Sequence, residues 1–177
     1  MPWALGGVLL VAAWGVTLVT PDELIREAPF VVTTSIGDHA EGRNIAVRVD
    51  EARWAETVTA GGWSASGNWL VVDLEVSSIA SEFGISLERA TLELDGVTYG
   101  ASDRPESLLG AGLHAGVPQT GSVAFELPDD VSRGAGALRF STSEFDRLDS
   151  VIEVPVVLDA FSEESSAELL PTEWSDR

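Results

Sequence analysis

The strongest constraint on this chain is a period of two. In residues 68–76 (NWLVVDLEV), Leu70, Val72, Leu74 and Val76 alternate with Trp69, Val71, Asp73 and Glu75. Successive side chains of a strand point to opposite faces, so this run makes one apolar face that a second surface must cover. A helix would repeat every 3.6 residues instead. The alternation recurs at Ile45, Val47 and Val49, at Ala90, Leu92 and Leu94, and at Val123, Phe125 and Leu127. Residues 30–35, 97–99, 137–141 and 151–157 supply further runs. Asp95-Gly96 lies between two of them, a strong short-range hairpin signal. Pro155 cannot donate to a ladder, which puts its strand at an edge. Residues 30–158 are therefore expected to form an all-β, antiparallel two-sheet sandwich of about seven or eight strands.

The first twenty residues obey a different rule. Residues 2–20 (PWALGGVLLVAAWGVTLVT) carry no charged side chain. As a helix they would extend roughly 28 Å, close to the ~30 Å hydrocarbon core of a bilayer. A soluble helix of that length would show a polar face. A cleaved signal peptide would show a basic start and a small-x-small cleavage site; Leu18-Val19-Thr20-Pro21 offers neither. Residues 1–20 are expected to be one transmembrane signal-anchor, with the lipid bilayer as partner. Thr20-Pro21-Asp22-Glu23 then forms a capping box, predicting a short juxtamembrane helix or stem over 21–29 that Pro29 stops.

Charge narrows the partners. Acidic side chains outnumber basic ones 29 to 10, for a net charge of -19, and every basic residue is arginine. Such a chain repels polyphosphate, so nucleic acid is excluded as a partner. The absence of cysteine removes disulfides, thiolate metal sites and cysteine nucleophiles. The acidic mass follows the apolar segment, which places the β-domain outside the cytoplasm.

The order of an N-terminal anchor, the strand at 68–76, the hairpin 90–99 (ATLELDGVTY) and the segment 116–128 (GVPQTGSVAFELP) resembles a bacterial family. These are secreted or lipid-anchored immunoglobulin-like domains of unknown function from Gram-positive bacteria, relatives of a mycobacterial secreted immunoglobulin-like antigen. The resemblance covers roughly residues 44–158. It implies an extracytoplasmic immunoglobulin-like sandwich with no established reaction. This chain lacks a lipobox cysteine, so a membrane helix would replace the lipid anchor.

Chemical motifs are weak. Residues 62–67 (GWSASG) approach a nucleophile elbow but miss its spacing by one residue, and a strand follows; they read as a flexible loop. Residues 110–116 (GAGLHAG) approach a dinucleotide loop with one residue too many. His39 and His114 read as solvent-facing loop residues, and pairs such as Asp129-Asp130 or Asp146 with Asp149 are expected by chance in so acidic a chain. No D-x-D-x-D-G calcium loop is present. No catalytic residue, cofactor or metal is assigned. The expected function is a membrane-anchored extracytoplasmic binding or accessory module of the cell envelope with an envelope protein as partner; the alternative is an envelope hydrolase using loop carboxylates and His114.

Aromatic residues are the better binding candidates, because they bury much area at little entropic cost. Trp54, Trp63 and Trp69 are the candidates; Trp69 is out of phase with the core face of its strand and Trp63 lies in the Gly/Ser segment, which offers these two as an exposed recognition patch. The competing reading has them covering the sandwich edge or second sheet. Residues 159–177 form an acidic tail in which Phe161, Leu169, Leu170 and Trp174 are apolar islands. A solvated, flexible tail is expected. The alternative is a motif that docks on a partner or on its own domain, residues 162–170 turning helical when bound. The candidate protein-binding residues are thus Trp63, Trp69, Leu169, Leu170 and Trp174.

Overall fold

Each alternating strand has one face to cover, and two sheets cover each other. The computed structural model describes residues 30–79, 85–142 and 150–175. The expected anchor at 1–20, the stem helix at 21–29, and Asp146 and Asp149 lie outside these residues. Among the described residues no helix is long and apolar enough to cross a membrane.

The strands are β1 (Phe30–Thr33), β2 (Ala40–Glu41), β3 (Ile45–Ala60), β4 (Trp63–Ser78), β5 (Arg89–Leu94), β6 (Val97–Gly100), β7 (Gln119–Leu127), β8 (Ala135–Ser141), β9 (Ser150–Val157), β10 (Ser162–Glu164), β11 (Ala167–Glu168) and β12 (Glu173–Trp174). A five-stranded sheet has the order β1-β9-β8-β5-β6, and a seven-stranded sheet the order β10-β3-β4-β7-β12, with β2 and β11 also on β3. All eight alternating runs are strands. Val47, Val49, Leu70, Val72, Leu74, Val123 and Phe125 of one sheet meet Leu92, Leu94, Leu138, Phe140, Ile152 and Val154 of the other in one core. Each such buried side chain contributes about 1.5–3 kcal/mol.

Turn chemistry fixes the hairpins. Asp95 and Gly96 both take left-handed φ, +50° and +77°, as a type I′ turn requires. Gly61, at φ +57°, turns β3 into β4, where Ala60 faces Trp63.

Several expectations are corrected. The sandwich is not wholly antiparallel: β1 pairs parallel with β9, and β10 and β11 pair parallel with β3. Alternation fixes which face a side chain takes but carries no strand direction. Pro155 is not on an edge strand, since β9 lies between β8 and β1. It faces Ala137, while β1 ends beside Glu153, so no neighbour asks for the missing N–H. The Gly/Ser segment at 62–67 is not a flexible loop: Gly62 completes the turn and residues 63–67 start β4.

The acidic tail expected to be flexible is part of the fold. A 3-10 turn at Leu158–Ala160 leads from β9 to β10, β11 and β12, with Ala167 and Leu169 buried. It docks as short strands rather than as a helix. Buried Ala167 and Leu169 flank Glu168, which stays outside, so acidity alone does not prevent docking.

Candidate functional site

A register shift between Ala55 and Thr57 bends the distal half of the β3–β4 hairpin. Val58 and Ala60 consequently join Trp69, Val71 and Ala124 in a second core on the outer face of their own sheet, with Ala167 and Leu169 of the tail closing it. Trp69 is therefore 0% exposed and Leu169 4% exposed, which corrects the expectation that they form a free protein-binding surface. Alternation places Trp69 on the outer face; what covers that face is the tail, not the sandwich edge or the second sheet. Trp69 Nε1 has no hydrogen-bond partner among the described residues, and a Cβ on Gly67 would lie 3.0 Å from it.

Trp63 is half-buried and meets Trp69 edge to face, with centroids 5.9 Å apart. Arg104 lies over both rings, 5.5 Å and 5.9 Å from their centroids, and Glu126 holds its guanidinium at 2.6 Å. Leu170 and Trp174 remain exposed, at 46% and 55%. Trp174 stands against His114, 5.0 Å between ring centroids.

A cleft of about 440 Å³ opens beside the middle of β3, where β7 ends. Its floor is Trp54, whose Nε1 donates to the Leu158 carbonyl at 2.9 Å and whose ring is covered by the Arg133 guanidinium at 4.3 Å. Glu163 of the tail pairs with Arg133, and Glu164 stands 3.7 Å from Arg53. Asn68 Nδ2 donates to the Pro128 carbonyl at 2.8 Å. Glu56, Asp129, Glu163 and Glu164 face a single guanidinium, Arg133, in the lining. The cleft therefore favours a neutral or cationic ligand and repels anions. Trp54 is the aromatic candidate that pointed here, but the register shift between Val49 and Glu51 that turns it into the core is not visible in the alternation.

Between the outer face of the seven-stranded sheet and the tail runs a buried polar relay. Arg53 Nη1 donates to Asp73 at 2.5 Å, and the Ser122 hydroxyl donates to the other oxygen of the same carboxylate at 2.5 Å. Farther along the sheet, Glu75 accepts from Arg48 at 3.3 Å and from Ser175 of the tail at 2.7 Å. The hydrogen bond from Arg48 to Asp50 raises that guanidinium above its ordinary pKa, with desolvation working against it.

The remaining candidates do not converge. His114 precedes β7 and Asp129-Asp130 follow it, so they stand at opposite ends of a strand about 30 Å long. A hydrolytic centre joining them is not assembled. His39 lies 3.4 Å from Glu41 in an exposed position. Among the described residues no group of three or more His, Asp or Glu is placed to hold a metal ion.

No protein-family model matches this chain, and no curated protein matches it in sequence. Solved structures do. A lipoprotein candidate from Staphylococcus aureus aligns over 76% of this chain and 97% of its own, with 9% identity and a TM-score of 0.50. MPT63, a secreted protein from Mycobacterium tuberculosis, covers 70% of this chain and 98% of its own at 14% identity and TM-score 0.49. The yjhA protein from Bacillus subtilis covers 68% and 98% at 13% identity and TM-score 0.47. The likeness is one of fold. The structural neighbours include the mycobacterial secreted protein and uncharacterised sandwiches, in line with the family resemblance read from the strands.

Proposed function

We propose that the chain is a membrane-anchored extracytoplasmic binding module of the bacterial cell envelope, held by residues 1–20 and presenting the Trp54–Arg133 cleft away from the membrane. One observation carries this reading: the sandwich receives the chain at the end opposite the cleft. Phe30 opens β1 beside Ser150, and Ser150 Oγ accepts the Arg43 N–H at 2.7 Å. The Ile79 N–H donates to the Asn44 carbonyl at 3.0 Å, which brings the start of β3 and the end of β4 to the same end. Of the cleft residues, Asp129 follows the far end of β7, Asn68 of β4 stands level with that end beside Leu127, and Trp54 lies about midway along β3. A stem of nine residues, 21–29, reaches at most about 30 Å when extended, so the domain stays close to the bilayer with its cleft outward. The carboxylates lining the cleft suit a neutral or basic envelope partner.

Asp129→Cys in this cysteine-free chain tests the arrangement directly. On intact cells a membrane-impermeant maleimide should label it, and the full-length protein should resist carbonate extraction. Full-length protein released by carbonate, or labelling only after lysis, would overturn the anchor or the orientation. A photocrosslinker at Asn68 tests the binding role: a discrete envelope adduct, diminished by Asp129→Arg, is expected, and its absence on labelled, folded protein would remove that role.

A further inference from the structure

Sheets that capture extended peptides do so with main-chain hydrogen bonds for affinity and pockets for alternate side chains for specificity. The outer face of the seven-stranded sheet has both. Leu169 N–H donates to the Thr59 carbonyl at 2.8 Å, and Leu170 N–H donates to Ser122 Oγ at 2.8 Å. Arg53 Nη2 reaches the Glu168 carbonyl at 3.4 Å, so both ends of the buried Arg53–Asp73–Ser122 relay terminate on tail backbone. Ala167 and Leu169 supply the alternate side chains, sunk against Val58, Trp69, Val71 and Ala124. Glu168 between them is exposed.

None of these contacts requires the tail to belong to the same molecule. Its covalent link to the sandwich is the single 3-10 turn at Leu158–Ala160 and the residue after it. Every copy of the chain carries one groove and one segment that fits it. A copy whose tail has left exposes Trp69, Val71 and Ala124, and an apolar face of that kind is driven to be covered again. Exchange of identical elements preserves every groove contact and changes only the connector and the association entropy. We infer that the outer face is a strand-acceptor site whose partner in trans is the 162–175 segment of a second copy, giving a reciprocal strand-exchanged dimer. This inference is independent of the membrane reading and of the cleft.

Thr59 and Glu168 are register partners in the parallel pair, and their neighbours Val58 and Ala167 are the buried ones. Adjacent strands hold such partners within disulfide reach. The chain has no native cysteine, so a Thr59→Cys chain and a Glu168→Cys chain, separately tagged, can be mixed at high concentration, warmed and oxidised. The expected result is a mixed-tag disulfide dimer, several-fold in excess of either same-tag dimer, that rises with protein concentration and is lost when Leu169→Asp is added to the Glu168→Cys chain. The double variant carrying both cysteines should close an intramolecular bond when dilute. Closure of that bond with no excess of mixed dimer at any concentration would overturn exchange. Failure of the double variant to close would overturn the docked tail itself, and the acceptor site with it.

Discussion

Ser122 and Leu170 bind each other twice: the Leu170 N–H donates to Ser122 Oγ at 2.8 Å, and the Ser122 N–H donates to the Leu170 carbonyl at 3.3 Å. The same hydroxyl donates to Asp73, so one small side chain couples the tail to the charged pair beneath it. Ser122→Ala removes the acceptor of one bond and the donor of the other. With the Leu170 amide and an Asp73 oxygen left short of partners, the cost should be about 1–3 kcal/mol. Ser175→Ala, which gives up a bond to Glu75 nearer the surface, should cost about 0.5 kcal/mol. Urea unfolding of both variants with unchanged slopes checks the contrast; equal midpoints would show that the relay does not hold the tail.

Neighbouring leucines of the tail separate burial from sequence position. Leu169 is 4% exposed in the second core, whereas Leu170 is 46% exposed. Leu169→Ala should cost about 2–5 kcal/mol through lost transfer energy and a residual cavity. Leu170→Ala should stay within about 0.5 kcal/mol. Limited proteolysis offers a second readout, with cleavage after residue 160 accelerated only in the Leu169 variant. A tail that is equally protected in both would argue that the short strands alone retain it.

The eight alternating runs were legible because period two and turn residues are local properties, and Asp95-Gly96 announced its hairpin outright. What covers an outward-facing strand is not local. Trp69 and Val71 lie on the side of β4 that alternation marks as outer, and only the bend after Ala55 and the return of Leu169 from a hundred residues away make that side a core. The tail was misread for a related reason: composition weighs its acids together, whereas docking depends on the alternate placement of Ala167 and Leu169. Trp54 was visible as an aromatic residue in β3, but the cleft it floors is built with Arg133 and Glu163, whose meeting no spacing rule anticipates.

Two glycines distinguish close approach from open space. A Cβ on Gly136 would sit 2.8 Å from the Glu93 carbonyl oxygen, a backbone atom that cannot swing aside. Gly136→Ala should therefore destabilise by about 1–3 kcal/mol. A Cβ on Gly62 meets nothing within 4 Å, and its φ is not left-handed. Gly62→Ala should be neutral or stabilising by about 0.4–1 kcal/mol, because it restricts the unfolded chain without strain. Thermal melts of the two variants should move in opposite directions or leave only Gly136→Ala shifted; a larger loss at Gly62 would contradict the open turn.

His114 and the Asp129-Asp130 pair flank opposite ends of β7, and their surroundings share no residue: His114 meets Trp174, whereas Asp129 borders the cleft with Trp54 and Arg133. Sites more than about 10 Å apart without common partners contribute to stability independently, to within about 0.5 kcal/mol. The combined His114→Ala, Asp129→Ala and Asp130→Ala variant should accordingly lose the sum of what the separate variants lose. The same logic applies to any cellular phenotype. Residues that act as one catalytic unit are strongly non-additive, since removing one member already abolishes what the others do. If the carboxylate variant and the histidine variant each abolish one phenotype completely while remaining folded, and the combination adds nothing, the two ends work together and the separation along β7 has been misjudged. Additive losses, with the cleft phenotype following Asp129 alone, are the expected outcome.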